Sequence, residues 1–340
     1  MKLVTFRYEN GHDRAGVLAG DHVIDLARAF AWREHAHGRR CDEAHVLDQY
    51  GRGVLGFVER AAHARPVADE IVEAFARGGL PEAFEGAPIA TPLVRVTLRA
   101  PIPRPPSMRD GYAFRQHVAT ARKNRGLDMI PEFDQFPIFY FTNHGAITGP
   151  GDVEVLPRHT ERLDYELEAA IVVGREARTV AAKDADALIF GMTIMNDWSA
   201  RALQMDEMKL NLGPAKGKDF ATSLGPWLVT LDELADRTIA TPGGNHYDLA
   251  MTARVNGKEL SRGNVKDMTW TFAQILERAS YGVTLYPGDV VGSGTCGTGC
   301  LLELNGSKVT DNTWLAPGDV VDLAIDRLGV LSNRVVLAER

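Results

Sequence analysis

Two short runs carry residues that could do chemistry: Asp164-Tyr165-Glu166-Leu167-Glu168 and Asn196-Asp197-Trp198-Ser199-Ala200-Arg201. On a strand, Glu166 and Glu168 share one face while Tyr165, Leu167 and Ala169 share the other. The run continues through Ala170, Ile171, Val172 and Val173, which is too apolar for a freely solvated edge. Like charges side by side in a segment that buries itself are costly unless a cation neutralises them. A metal ion is the economical answer, and the competing reading is the wet face of an antiparallel sheet. A third acid, Asp197, closes a second apolar run, Ile189 to Ile194, just ahead of a short helix-like segment from Ser199 to Gln204. A fourth, Asp110, stands seven residues before His117 in Arg109-Asp110-Gly111-Tyr112-Ala113-Phe114-Arg115-Gln116-His117.

These residues resemble the fumarylacetoacetate hydrolase (fumarylacetoacetase) superfamily from about Pro101 onward. The resemblance rests on the E-x-E pair, on Asp197-Trp198-Ser199-Ala200-Arg201 and on Arg115-Gln116-His117. It extends to Gly213-Pro214 with Gly217-Lys218-Asp219-Phe220, to Gly292-Ser293-Gly294-Thr295 and to Leu302-Glu303-Leu304. Motifs in this order are a far more specific signal than any one of them. The fold implied is α+β and strand-rich: a fumarylacetoacetase-type mixed β-sandwich roll as catalytic domain, at 101–340, with a small N-terminal α/β domain at 1–100.

The resemblance implies a divalent cation held by Asp110, Glu166, Glu168 and Asp197, with Lys218 and Thr222 close by. Oxygen ligands alone suit Mg2+, or Ca2+ or Mn2+, and disfavour zinc. Four carboxylates on a dication leave an excess of about two negative charges, which Lys218 and Arg201 are placed to offset. His117 is the implied base, steadied by Glu303, an acid in an otherwise apolar stretch whose alternative is an outward-facing strand position. The implied reaction is metal-dependent hydrolysis of a carbon–carbon bond in a 1,3-diketo acid of fumarylacetoacetate or acylpyruvate type, from aromatic-compound catabolism, by a water that His117 activates. Arg201, Gln204 and Lys218 would place donors around the reacting oxygens, and Tyr112 and Thr295 would hold the far end of the substrate. The chain departs from fumarylacetoacetase in its pocket: Asn143 precedes His144-Gly145 where a tyrosine is expected, Met208 replaces a second tyrosine, and Arg125 is nearest to the substrate-binding arginine. The alternatives are a hydratase, decarboxylase or isomerase of a 2-oxo acid on the same metal site, and, further off, a non-catalytic metabolite-binding protein. The family also implies a homodimer.

The elements that must position these groups are legible in outline. Leu3 to Tyr8, Gly16 to Leu18 and His22 to Asp25 read as short strands joined at Glu9-Asn10-Gly11 and Ala19-Gly20-Asp21. Helices are expected around 41–59 and over 67–76, the second after Pro66. Pro101-Ile102-Pro103-Arg104-Pro105-Pro106 is a stiff, extended segment, and the boundary is placed just before it. Beyond it, Val255-Asn256-Gly257-Lys258 predicts a hairpin, the Pro-Gly-Asp turns at Pro287 and Pro317 predict strand pairs, and Trp270 to Ser280 predicts a helix. Gly292 to Gly299 is not expected to cradle phosphate, since it lacks a Gly-Lys-Ser/Thr ending and no helix pattern follows.

Composition excludes several classes. A net charge of −7 with no basic stripe argues against nucleic acid. Three cysteines, Cys41, Cys296 and Cys300, give no disulfide framework, and Cys296 with Cys300 lacks the second pair that a zinc site needs. No charged leader and no 18-residue apolar run is present, so no membrane association is expected and the expected location is the cytoplasm.

Overall fold

A computed structural model describes residues 1–9, 11–50 and 53–339. The turn expected at Asn10 and part of the helical stretch expected over 41–59 therefore lie outside the described residues. The chain opens with strands β1 (Lys2–Arg7), β2 (Arg14–Ala19) and β3 (His22–Asp25), then helices α1 (Leu26–Ala36), α2 (Glu43–Tyr50), α3 (Val54–Glu59) and α4 (Ala61–Ala76), and strand β4 (Ala90–Pro92). Two corrections to the sequence reading fall here. Helix α1 was not expected, because Leu26–Ala36 is dominated by alanine and arginine and shows little contrast between faces. Helix α4 starts six residues earlier than expected and contains Pro66. The hydrogen bond that proline cannot donate would have gone to the carbonyl of Ala62, an exposed residue that water can serve.

Next come β5 (Met108–Gly111), α5 (Arg115–Lys123), β6 (Phe139–Phe141), β7 (Gly151–Val155), β8 (Leu167–Val173), β9 (Ile189–Asp197), α6 (Arg201–Met208) and β10 (Thr222–Thr230). They are followed by β11 (Ala250–Val255), β12 (Lys258–Asn264), α7 (Phe272–Ser280), β13 (Val290–Gly292), α8 (Leu301–Gly306), β14 (Val320–Ile325) and β15 (Gly329–Leu337). The β11–β12 turn is the expected two-residue one, with Asn256 at φ 50° and Gly257 at φ 80°. Both Pro-Gly-Asp turns lead directly into strands, β13 and β14. Helix α8 overturns the reading that no helix follows the glycine-rich run: six residues are too few to show a period.

The result is a strand-rich α+β fold. One large sheet runs β4-β3-β2-β1-β10-β9-β8-β13-β5-β6, and a five-stranded sheet runs β7-β15-β14-β11-β12. The N-terminal strands join the large sheet through antiparallel pairing of β1 with β10. The proline-rich segment is packed rather than free, with Ile102 buried and the Pro101 carbonyl accepting from Thr5 Oγ1 at 2.7 Å.

Strand β8 explains how the acidic pair can sit inside. Leu167, Ala169, Ile171 and Val173 enter one apolar core, shared with residues of the five-stranded sheet such as Val321, Leu323 and Leu331. Ala170 and Val172 enter another, shared with α1, α3 and α4 through Phe30, Phe57 and Ile71. Both faces are covered, so Glu168, on the second face, is fully buried.

At the N-terminal end, the fully buried Asp25 caps α1 by accepting from Ala27 N at 3.1 Å, and it accepts from Arg14 Nε at 2.7 Å and Nη2 at 3.0 Å. Asp25→Ala leaves the buried Arg14 without this partner and α1 without its cap. Urea unfolding of the variant should report a loss of about 3–5 kcal/mol, and a loss below about 1 kcal/mol would contradict this reading of the ion pair.

Candidate active site

Sheet register assembles the acids. Asp110 on β5 stands opposite Gly292 on β13, Gly292 stands opposite Ala170 on β8, and Asp197 at the end of β9 stands opposite Thr222 on β10. Asp110, Glu166, Glu168 and Asp197 are all at most 5% exposed. Gly292 makes room for them: a Cβ there would stand 2.3 Å from Asp110 Oδ1 and 2.7 Å from Met195 Cε.

Positive charge enters from two side chains. Lys218 Nζ donates to Asp197 Oδ2 at 2.6 Å and also to Glu166 Oε2. Arg201 Nη2 donates to Glu166 Oε1 at 2.7 Å, Nε to Asp164 Oδ2 at 2.9 Å and Nη1 to Gln204 Oε1 at 2.9 Å. Burial alone would push Glu166 up, but Lys218 and Arg201 outweigh it and hold its carboxyl far below the usual range. Asp110 and Glu168 receive much less compensation. Burial, with Asp197 adding to it, pushes Asp110 up to about 8. Burial and then Asp110 raise Glu168 well above the carboxylate range. Lys218, although buried, is held above its ordinary value by Asp197 and Glu166.

Two carboxylate oxygens in this cluster, Glu168 Oε2 and Asp197 Oδ1, are buried without any hydrogen-bond partner. Orphaned acceptors in a group of four buried acids whose neighbouring cations are Lys218 and Arg201 are what an oxygen-seeking divalent cation would satisfy. The donor set therefore fits Mg2+, Mn2+ or Ca2+.

Beside the cluster, His117 on α5 and Glu303 on α8 are both buried and meet at 2.7 Å between Nδ1 and Oε2. Glu303 Oε1 accepts from Thr298 N at 2.9 Å, so both of its oxygens are engaged. Glu303 lies on a helix facing inward, not on an outward-facing strand. Tyr112 packs edge-on to His117, with ring centroids 5.8 Å apart. Thr295 Oγ1 donates to Glu168 Oε1 at 3.2 Å.

The remaining expected residues are placed as follows. Thr222 is buried where β10 begins, beside Asp197. Gln204 turns its oxygen to Arg201. Asn143 is exposed and folds its own loop, donating to Asp219 O at 2.9 Å and accepting from Gly145 N at 2.9 Å. Arg125 is exposed, outside the acidic cluster, and donates to Ala121 O at 3.1 Å, although its charge reaches Tyr112.

Sequence reasoning missed three members. Tyr140 donates to Asp197 Oδ2 at 2.5 Å, and Asn196 Oδ1 accepts from Glu166 N at 2.9 Å. Asp164, fully buried, accepts from Arg201 and from the first backbone N–H groups of α8, Leu301 N at 2.7 Å and Leu302 N at 3.0 Å. Asp164 and Asn196 carried a signal, since each opens one of the two runs that were singled out; Tyr140 carried none.

Residues 107–336 match the model of the fumarylacetoacetate (FAA) hydrolase C-terminal domain. The chain belongs to the fumarylacetoacetate hydrolase family. Among relatives in that family, the 2,4-didehydro-3-deoxy-L-rhamnonate hydrolase of Sphingomonas sp. (strain SKA58) is 33% identical over 202 residues, which is 58% of this chain and 65% of that one. The oxaloacetate tautomerase YisK of Bacillus subtilis (strain 168) is 32% identical over 249 residues, 72% of this chain and 74% of that one. Fumarylacetoacetate hydrolase from Exiguobacterium antarcticum superposes with a TM-score of 0.67 at 25% identity, covering 99% and 100% of the two chains. Maleylpyruvate hydrolase from Sphingobium sp. SYK-6, solved with manganese(II) and pyruvate, shares the fold at a TM-score of 0.66, 23% identity and full coverage of both chains. The family thus includes hydrolases and tautomerases acting on small molecules, and no helix among the described residues of this chain is long and apolar enough to cross a membrane.

Gly292→Ala tests whether the acidic cluster needs the space that a glycine leaves. The variant should fold, and its affinity for Mg2+ or Mn2+ in calorimetry should drop about 10–100-fold, the range seen when the support of a metal ligand is disturbed. Unchanged affinity would show that Asp110 can move aside freely or does not hold the ion.

Proposed function

We propose that this protein is a metal-dependent hydrolase that cleaves a carbon–carbon bond in a 1,3-diketo acid of fumarylacetoacetate or acylpyruvate type, a ring-cleavage product of aromatic-compound catabolism, and that it works as a homodimer in the cytoplasm. The observation that carries this reading is the His117–Glu303 pair, 2.7 Å apart and buried, set beside a separate cluster of four carboxylates. A division at about residue 100 belongs to the same proposal, supported by a family match that begins at residue 107.

Asp110, Glu166, Glu168 and Asp197 would hold the cation, which when bound supplies Lewis-acid polarisation to the oxygens of a chelating substrate. Glu303 fixes the ring of His117 by accepting at Nδ1, which leaves Nε2 to take a proton from water. The hydroxide adds to the distal carbonyl, the carbon–carbon bond breaks, and the enolate that leaves takes up a proton, giving two carboxylic acids. Lys218 and Arg201 keep Glu166 ionised, and Lys218 and Tyr140 hold Asp197 in place. Tyr112, beside His117, borders the space where the distal end of the substrate would lie. Thr295, Gln204, Asn143 and Arg125 complete the proposed binding set, the last two from the exposed rim.

A second reading, tautomerisation of a 2-oxo acid, is supported by the identity to oxaloacetate tautomerases. It uses the same proton acceptor without hydrolytic water.

Two experiments decide between these readings. Metal-stripped protein given 2,4-dioxo acids should release two acids only after Mg2+ or Mn2+ is added, and His117→Ala should lower kcat about 10²–10⁴-fold while metal affinity persists. Proton exchange with solvent and no chain cleavage would move the assignment to a tautomerase. Separately, the cation should raise thermal stability, by about 2.7 kcal/mol at a hundredfold excess over its Kd. Glu168→Gln should remove most of that gain, and a gain of the same size in this variant would place the ion elsewhere.

A further inference from the structure

Cys300 stands at the N-terminus of α8, close to the His117–Glu303 pair and within reach of the charge of Arg201, and the proposed reaction gives it no task. It is fully buried, and a ligand atom from each of His117, Cys300 and Glu303 lies within 4.8 Å of the other two. Nitrogen, sulfur and oxygen together are the opposite of the all-oxygen cluster next door: they suit zinc and not magnesium. In a tetrahedral zinc site, bonds of about 2.0–2.3 Å set ligand atoms roughly 3.3–3.6 Å apart, so no side of this triangle needs to close by much more than about 1 Å. The His117–Glu303 contact, at 2.7 Å, needs to open by only about half an ångström.

We infer that His117, Cys300 and Glu303 form an inhibitory site for a thiophilic divalent cation, Zn2+ above all, which shuts off the proton-accepting pair without displacing the cation of the neighbouring carboxylates. The regulatory part of this inference rests on the reading of His117 and Glu303 as the proton-transfer pair. Zinc takes the imidazole as a neutral ligand and the sulfur as thiolate, and one thiol proton leaves to solvent. The two charges of the ion then balance the thiolate and the Glu303 carboxylate. With Nδ1 on the ion, the neutral ring carries its proton on Nε2, so the lone pair that would accept a proton from water is no longer available, and water or a substrate oxygen completes the coordination. Without the ion, burial and the nearby Asp164 push the Cys300 thiol well up, so the sulfur waits as a neutral thiol.

Cobalt is the probe, because a cobalt–thiolate bond absorbs in the near ultraviolet and a cobalt–carboxylate site does not. Full-length protein saturated with Mg2+ and titrated with Co2+ should develop a thiolate-to-cobalt band that saturates at one equivalent and is abolished by Zn2+. Turnover of the dioxo acid should fall over the same range of added zinc. Cys300→Ser and Cys300→Ala, each checked for native circular dichroism, should lose the band and resist zinc inhibition by at least about tenfold. Absence of the band, or a band and inhibition midpoint unchanged in both variants, would overturn the site. The absorbance requires no turnover, so a protein that fails to hydrolyse any diketo acid would sink the proposed reaction while the cobalt band still decides this one.

Discussion

The structure depends on one electrostatic constraint: four carboxylates from three segments of the chain are buried together. Their repulsion would be prohibitive in a low-dielectric interior without compensation. Compensation is uneven. Glu166 is bracketed by Lys218 and Arg201, and Asp197 by Lys218 and Tyr140, whereas Asp110 and Glu168 face each other with little to neutralise them. The cluster is therefore unevenly neutralised, and the partnerless oxygens of Glu168 and Asp197 mark where positive charge is still wanting.

That constraint dictates what the rest of the fold must do. Acids held in this way need a rigid frame, and the frame is a large sheet with an apolar core on each face. The helices α1, α3 and α4 cover the face of β8 that ends in Glu168, so the N-terminal part of the chain contributes to the site by excluding water from behind it, without offering a reactive group. Gly292 is a tight point of the frame, because the strand between Asp110 and Glu168 has to pass without a side chain there.

Much of this was legible in the residues. The uninterrupted apolar run after Glu168 fixes a strand with both faces covered, although Glu166, expected on the same strand, stands one residue before its start. Asn256-Gly257 fixes a hairpin by its backbone preference. What could not be read is whatever depends on distant partners or on very short elements. Tyr140 is 57 residues from the aspartate it touches, and nothing in Phe139-Tyr140-Phe141 distinguishes it from a core aromatic. Helix α8 is only six residues long and is defined by Asp164, 137 residues away, which receives its first N–H groups. The motif match pointed to Glu303 as an acid of interest but not to the helix that carries it.

Asp164 serves three masters at once: it accepts from the start of α8, it anchors Arg201, and through Arg201 it is tied to Glu166. The histidine-facing acid and the acidic cluster are thereby parts of one stiff body, not two modules free to slide. On the proposed reaction, the gap between them would act as a ruler built into the backbone: a substrate would bridge it with its own carbon skeleton, and chain length between its oxygen-bearing end and its susceptible carbon would be selected ahead of the identity of the groups at its tail.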